Sequence, residues 1–203
     1  MNLINNYINK LLHIFEVMRV NTSKKVVYLT FDDGPEGEIT DYVLDVLKEY
    51  NAKATFFCKG ENVVNNKEQF QRIIDEGHAV ANHTYSHINS FYTPTKEYVN
   101  DVYKAEKVIH SHLFRPPWGS ITIFAFLELC FRYKIVYWSL MSGDTEGDSL
   151  NIEECLNRLK NKTKKGDIVL FHSCNAHEKE TRQILPLYIE WLKSNGYKCE
   201  ILM

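Results

Sequence analysis

Two patterns of apolar and polar residues alternate along the chain. Short apolar runs, rich in β-branched and aromatic residues and bounded by turn residues, are typical of buried strands. Between them, apolar residues recur three and four positions apart, which predicts helices. The predicted strands cover residues 26–29, 54–58, 79–81, 113–114, 134–140, 167–172 and 197–203. The predicted helices cover residues 38–50, 67–76, 95–112, 121–131, 151–162 and 178–193.

This order of elements predicts the fold class. Alternating strands and helices imply parallel strands that are joined by crossover helices. A chain of 203 residues is long enough for one sizeable core, and no repeat or low-complexity tract divides it. We therefore predict an α/β protein with a single barrel-like sheet of about seven parallel strands. An open doubly wound sheet is the alternative, although the chain lacks the G-x-G-x-x-G turn of a dinucleotide site.

Residues 1–20 carry apolar side chains at helical spacing, which predicts an extra amphipathic N-terminal helix. We assign residues 1–24 to this helix and its lead-in. Packing of the helix on the domain is the favoured interpretation. A membrane-surface helix is less favoured, because the polar face carries few basic residues. The segment is too interrupted for a signal-peptide core, so we expect a cytoplasmic protein or one associated with the cytoplasmic face of a membrane.

Charge and cysteine content narrow the function further. The formal net charge of −2 gives no sign of a nucleic-acid partner. Five cysteines, an odd number with no C-x-x-C pair, argue against a disulfide framework or a cysteine-type zinc site. We expect a monomer or a small homo-oligomer that does not bind nucleic acid.

Two adjacent carboxylates, Asp32 and Asp33, follow the first predicted strand and precede Gly34 and Pro35. In α/β proteins the carboxyl ends of strands are where ligands bind and chemistry occurs. A turn directly after Asp33 allows the two acids to serve one pocket in different roles. A solvated Asp-Asp-Gly turn is the alternative, and an isolated match would favour it.

Two histidines, His83 and His87, follow the predicted strand over residues 79–81. Four-residue spacing on a helical turn would place both on one face, close enough to bind one metal ion. The spacing alone is weak evidence, since it also occurs by chance. With one carboxylate from the Asp32–Asp33 pair, however, the set becomes a catalytic pattern for zinc, or for iron or cobalt. The second Asp would then be free to act as a general base.

Polar or aromatic residues follow three later strands. Arg115 can hold a carboxylate in its ionised form, and Trp118 offers a flat wall to a sugar or an acyl group. Asp144 either orients a histidine or caps a turn. His172 closes a buried apolar strand, where a satisfied core histidine is the alternative. Cys174, two residues on, is interpreted as a buried free thiol rather than a metal ligand.

From Lys25 to the C-terminus, the chain resembles the polysaccharide deacetylase family, carbohydrate esterase family 4. The segments that carry the resemblance are 30–35, 83–87, 115–118 and 170–172. The resemblance implies a distorted (β/α) barrel, a catalytic domain over residues 25–203 and a divalent metal. Zinc is the first choice of metal, with cobalt, nickel or iron as alternatives.

The resemblance also implies a role for each matching residue. Asp32 would be the general base and His172 the general acid. Asp33, His83 and His87 would bind the metal. The implied supporting residues are Arg115 beside the base, Asp144 beside His172, the Trp118 backbone N–H at the oxyanion, and Leu170 at the acyl pocket.

The fourth motif departs from the family pattern. Met141 and Thr145 stand where the family usually has Asp and Trp, although Asp144 is kept. The leading interpretation is removal of an N-acetyl group from an amino sugar of a glycan or glycan precursor. A second is removal of another acyl group, such as formyl, from a lipid-linked amino sugar. A third, a glycan-binding relative without turnover, is disfavoured because a pure binder has no use for an acid, a base and an open metal together.

Overall fold

The computed structural model describes residues 16–147 and 150–203. The strands are Glu16–Val17 (β1), Val26–Asp32 (β2), Ala54–Cys58 (β3), Ala79–Asn82 (β4), Leu113–Phe114 (β5), Lys134–Val136 (β6), Leu140–Met141 (β7), Ile168–His172 (β8) and Lys198–Cys199 (β9). The helices are Gly37–Glu49 (α1), Gly60–Asn65 (α2), Lys67–Asp75 (α3), Thr95–Ile109 (α4), Ile123–Leu129 (α5), Ile152–Lys162 (α6) and Glu178–Ser194 (α7). Short 3₁₀ turns cover Pro117–Gly119 and Asn175–His177.

The strands form one parallel, barrel-like sheet with helices packed around it. Its order is β1-β6-β5-β4-β3-β2-β8-β7, and β9 pairs with β2. On β2, Leu29 and Phe31 pack in a cluster with helices α1 and α7. A separate cluster joins side chains from β3, β4, β5, β6 and β8 and therefore fills the inside of the barrel. The predicted parallel (β/α) barrel is confirmed.

The described residues contain nine strands rather than about seven. Part of the difference lies in the predicted strand over residues 134–140, which is interrupted at residues 137–139. The first part, β6, pairs with β5, whereas the second part, β7, pairs with β8. This segment therefore connects strands near the two ends of the strand order, and its change of pairing partner interrupts the strand.

The N-terminal prediction is only partly tested. Most of the predicted helix, residues 1–15, lies outside the described residues. Its end is wrong, because Glu16–Val17 forms strand β1, with Glu16 paired to Ile135 of β6. Pairing with the edge of the sheet overrides the helical spacing of the apolar residues. In residues 16–147 and 150–203, no helix combines the length and apolar character that crossing a membrane requires.

Parallel pairing collects the carboxyl ends of several strands on one rim of the barrel. Asp32 ends β2 and lies opposite His172, which ends β8. On the other side of β2, Asn82 ends β4 opposite Phe114, the last residue of β5. The candidate residues stand at these ends or directly after them, so the topology brings them to one place.

Candidate active site

Three side chains converge in a geometry suited to a metal ion. The Oδ1 atom of Asp33 lies 3.7 Å from His83 Nε2 and 3.1 Å from His87 Nε2. The three ligand atoms all lie within 4.8 Å of one another. Asp33 Oδ1 is buried and has no hydrogen-bond partner among the described residues. A buried, unpartnered carboxylate oxygen between two imidazole nitrogens fits a divalent cation.

The two histidines do not lie on a helical turn, so that expectation was wrong. Residues 83–87 form an irregular turn in which Thr84 has φ of 63° and His87 has φ of 57°. The Thr84 N–H donates to Asn82 Oδ1 at 2.9 Å, and the His87 N–H donates to Thr84 Oγ1 at 2.9 Å. Asp101 accepts from the backbone N–H of Tyr85 at 2.8 Å. These side chains replace the helical hydrogen bonds and turn His87 back toward Asp33.

Backbone strain is concentrated at this site. Besides Thr84 and His87, Asp33 and Trp118 also have positive φ, 74° and 55°. Left-handed backbone is uncommon for residues other than glycine and is found preferentially at functional sites.

His83 is oriented by a backbone contact. Its Nδ1 lies 2.7 Å from the carbonyl oxygen of Arg115, so an N–H there directs Nε2 toward Asp33. Burial lowers the pKa of His83 to about 3 and also lowers the pKa of His87. Both imidazoles are therefore neutral near pH 7, which is the form that binds a metal.

Asp32 and Arg115 form a buried ion pair beside the three candidate metal ligands. Arg115 is fully buried, and its Nη1 donates to Asp32 Oδ1 at 2.6 Å and to Thr30 Oγ1 at 2.9 Å. Its remaining donors reach the carbonyl oxygens of Val136 at 3.1 Å and Tyr137 at 2.9 Å. Burial raises the pKa of Asp32, and the positive charge of Arg115 opposes that rise. The carboxyl thus has a pKa shifted upward from its usual range, which suits a general base.

His172 and Asp144 form a second buried pair. The Nδ1 atom of His172 lies 3.2 Å from Asp144 Oδ1. Asp144 Oδ2 also accepts from the His172 backbone N–H at 2.6 Å and from Thr181 Oγ1 at 3.1 Å. Burial lowers the pKa of His172, but the hydrogen bond and charge of Asp144 outweigh it and raise this pKa to about 9. His172 is therefore protonated near pH 7, as a general acid must be.

The two residues implied to touch the substrate lie in different surroundings. Trp118 is 58% exposed, and its ring centroid lies 4.3 Å from that of His87. It forms an apolar wall beside the candidate metal ligands. Leu170, by contrast, is only 3% exposed and pairs with Met141 across β7 and β8. Thr145 and Met141 line a neighbouring groove of about 510 Å³.

Sequence reasoning missed several residues around the site. Asn62 Nδ2 donates to the backbone carbonyl of Asp33 at 2.8 Å, from a helix that was not predicted. Thr181 reaches Asp144 from α7. His177, which has no sequence motif around it, places its ring 4.9 Å from that of His172. Cys174 is the buried free thiol that the sequence predicts, but its contact with Asp33 was missed: its Sγ lies 3.8 Å from Asp33 Oδ2, and burial with the Asp33 charge raises its pKa to about 12. No local pattern marks these contacts, and all of them except the contact between His172 and His177 join distant segments.

Comparison with known proteins agrees with the geometry. The polysaccharide deacetylase family matches residues 19–124. A peptidoglycan-N-acetylglucosamine deacetylase of Bacillus cereus is 32% identical over 185 residues, covering 88% of this chain and 87% of that protein. The peptidoglycan-N-acetylglucosamine deacetylase PgdA of Listeria monocytogenes is 31% identical, covering 95% of this chain and 41% of that protein.

Solved structures show the same likeness. The Bc1960 peptidoglycan N-acetylglucosamine deacetylase has a TM-score of 0.88 at 32% identity, covering 96% of this chain and 94% of that chain. A family 4 pseudoenzyme from Bacillus anthracis also matches, with a TM-score of 0.77 at 27% identity, covering 91% of this chain and 66% of that chain. The fold alone therefore does not distinguish enzymes from pseudoenzymes, and the distinction depends on the residues of the active site.

The chain belongs to the polysaccharide deacetylase family, carbohydrate esterase family 4. It is a carbohydrate N-deacetylase, a hydrolase of a metal-dependent family, and it has an Asp-His-His group of the kind that holds such a metal.

Proposed function

We propose that this enzyme removes the acetyl group from N-acetylglucosamine units of peptidoglycan, with zinc as its metal. The proposal rests on one observation. Asp33, His83 and His87 lie together with a buried candidate base, Asp32, and a protonated candidate acid, His172, at one rim of the barrel. Neutral imidazoles and one carboxylate are a donor set that zinc favours in catalytic sites. The peptidoglycan substrate is supported by the names of the similar proteins from Bacillus cereus and Listeria monocytogenes.

Asp33, His83 and His87 would hold the ion. When bound, it supplies a Lewis acid that polarises the amide carbonyl and activates water. Asp33 is the natural carboxylate ligand, because its Oδ1 is buried and receives no hydrogen bond from residues 16–147 or 150–203. Asp32 differs, since its Oδ1 accepts a hydrogen bond from Arg115.

Asp32 takes the proton of the attacking water in this proposal. Its second oxygen, Oδ2, lies 3.8 Å from His83 Nε2 and so faces the metal ligands. Arg115 fixes the carboxylate through Oδ1 and leaves Oδ2 available as the proton acceptor. A positioned base of this kind typically contributes a rate factor of about 10² to 10⁴.

His172 gives a proton to the departing amine. Asp144 accepts from Nδ1, which leaves Nε2 as the atom that transfers the proton. An amine leaves poorly unless it is protonated, so the raised pKa of His172 matches the demand of the reaction. We assign the backbone N–H of Trp118 to the oxyanion, the Trp118 ring to the sugar face, and Leu170 to the acetyl methyl group.

A second candidate is removal of a different acyl group from a lipid-linked amino sugar. It is favoured by one observation, the replacement of the usual Asp and Trp of the fourth motif by Met141 and Thr145. Both line the groove beside β7, and Met141 is 43% exposed there. An altered wall at this groove would change which substrate is accepted rather than the chemistry.

The test uses the full chain, stripped of metal with a chelator and reloaded with zinc, cobalt, nickel or iron. Acetate and formate release are measured on peptidoglycan, on N-acetylglucosamine oligomers and on a lipid-linked N-acyl amino sugar. We expect zinc-dependent acetate release from peptidoglycan. Full activity after metal removal would refute the metal site, and formate release without acetate would favour the second candidate.

A further inference from the structure

Cys174 contacts a candidate metal ligand and has no role in the reaction described so far. It follows β8 by two residues and is buried. Its Sγ lies 3.8 Å from Asp33 Oδ2, within the range of an S–H···O hydrogen bond. Asp33 lies 141 residues before Cys174 in the sequence.

The two oxygens of the Asp33 carboxylate therefore have different surroundings. Oδ1 faces the imidazole nitrogens of His83 and His87 and has no hydrogen-bond donor within the part of the chain that the structure describes. Oδ2 faces the thiol of Cys174. The carboxylate can thus offer one oxygen to an ion while the other is held by the protein.

The backbone fixes the place of this thiol. The N–H of Ser173 donates to the carbonyl of Asp32 at 3.0 Å, which ties the chain after β8 to the chain after β2. A Cβ on Gly34 would lie 2.4 Å from Ser173 Oγ, so the two segments touch only because residue 34 has no side chain. On the C-terminal side of Cys174, its carbonyl oxygen accepts a hydrogen bond from the His177 N–H at 3.2 Å.

We propose that Cys174 is a positioning residue for the metal site: its thiol holds Asp33 Oδ2 and leaves Oδ1 to bind the ion. Partners that orient metal ligands commonly change metal affinity by about 10- to 100-fold when removed. Binding through one oxygen also keeps a coordination position open for water and substrate, as a catalytic site requires. This role rests on the proposed metal-dependent function.

The test compares Cys174→Ala, which removes the donor, with Cys174→Ser, which keeps one. The dissociation constant for zinc is measured on the full chain by competition with a chromogenic chelator. We expect Cys174→Ala to bind zinc about tenfold more weakly or worse, and excess zinc to restore its turnover. Cys174→Ser should lose less affinity than Cys174→Ala, because its hydroxyl is still a donor although it reaches less far.

Cys130→Ala is the matched control. Cys130 is another buried thiol, but it belongs to a hydrophobic cluster formed with α4 and α5. Its loss should leave zinc affinity unchanged, and thermal unfolding without metal checks that each variant folds.

Wild-type zinc affinity in Cys174→Ala would overturn the proposal, and so would equal weakening in the Ala and Ser variants. Failure of the proposed function looks different, because wild-type protein would then bind no zinc or release no acetate.

Discussion

Replacing Asp144 with Asn removes the negative charge that keeps His172 protonated. The carboxylate is almost fully buried, and its Oδ1 lies 3.2 Å from His172 Nδ1. Burial lowers the pKa of His172, but the hydrogen bond and charge of Asp144, together with the charges of Asp32 and Asp33, outweigh it and raise this pKa to about 9, from an ordinary value of 6.5. Since one pKa unit corresponds to about 1.4 kcal/mol, this environment favours the protonated imidazole by about 3 kcal/mol.

The sign of the expected effect follows from the proposed role of His172 as a general acid. In Asp144→Asn its pKa should move down toward the ordinary value, because burial still acts against the charged form. At pH 8 the protonated fraction would fall from about nine-tenths to about one-thirtieth. The alkaline limb of the pH profile of kcat/KM should therefore move down from near pH 9 toward pH 6.5, measured as acetate release from N-acetylglucosamine oligomers.

Asp75→Asn is the control for a general change in charge, since Asp75 is exposed and lies at the end of α3. Its alkaline limb should stay in place. If Asp144→Asn lowered the rate at every pH without moving that limb, Asp144 would not set the protonation of His172, and the assigned role of the pair would be wrong.

Three further predictions test the rest of the site. Asp32→Asn should keep its zinc affinity and lose about a hundredfold or more in kcat, because it removes a proton acceptor but no ligand; turnover near wild type would exclude Asp32 as the base. Arg115→Met should lower the free energy of unfolding by about 3–5 kcal/mol, measured in denaturant, because it leaves the buried Asp32 carboxylate without its partner; no measurable loss would show that the pair does not stabilise the fold. In metal-free protein, burial lowers the pKa of His83 from about 6.5 in the unfolded chain to about 3 in the folded protein. Between these pH values the unfolded chain binds a proton that the folded protein does not. The folded state therefore loses stability as pH falls. The difference in unfolding free energy between wild type and His83→Asn should therefore shift against wild type as pH falls from about 6.5 to about 3, and a constant difference would contradict the buried neutral imidazole.

Much of the fold is readable from local patterns. The strand predicted over residues 54–58 coincides with β3, and the helix predicted over 178–193 differs from α7 by one residue. These elements are predicted well because burial on one or both faces imposes a period that survives in the sequence. The break at residues 137–139 could not be predicted in this way, because it depends on a change of hydrogen-bonding partner from β5 to β8.

The sequence by itself determined the order of the β/α units and placed Asp32, His83, Arg115 and His172 at or just beyond the strand ends, since parallel strands carry their chemistry there. Only the tertiary structure decided which atoms meet. The irregular turn before His87 depends on Asp101 from α4, and the thiol beside Asp33 comes from a segment 141 residues away. Contacts of this kind leave no local period, because they arise from closure of the sheet and from side chains that compete with regular backbone hydrogen bonds.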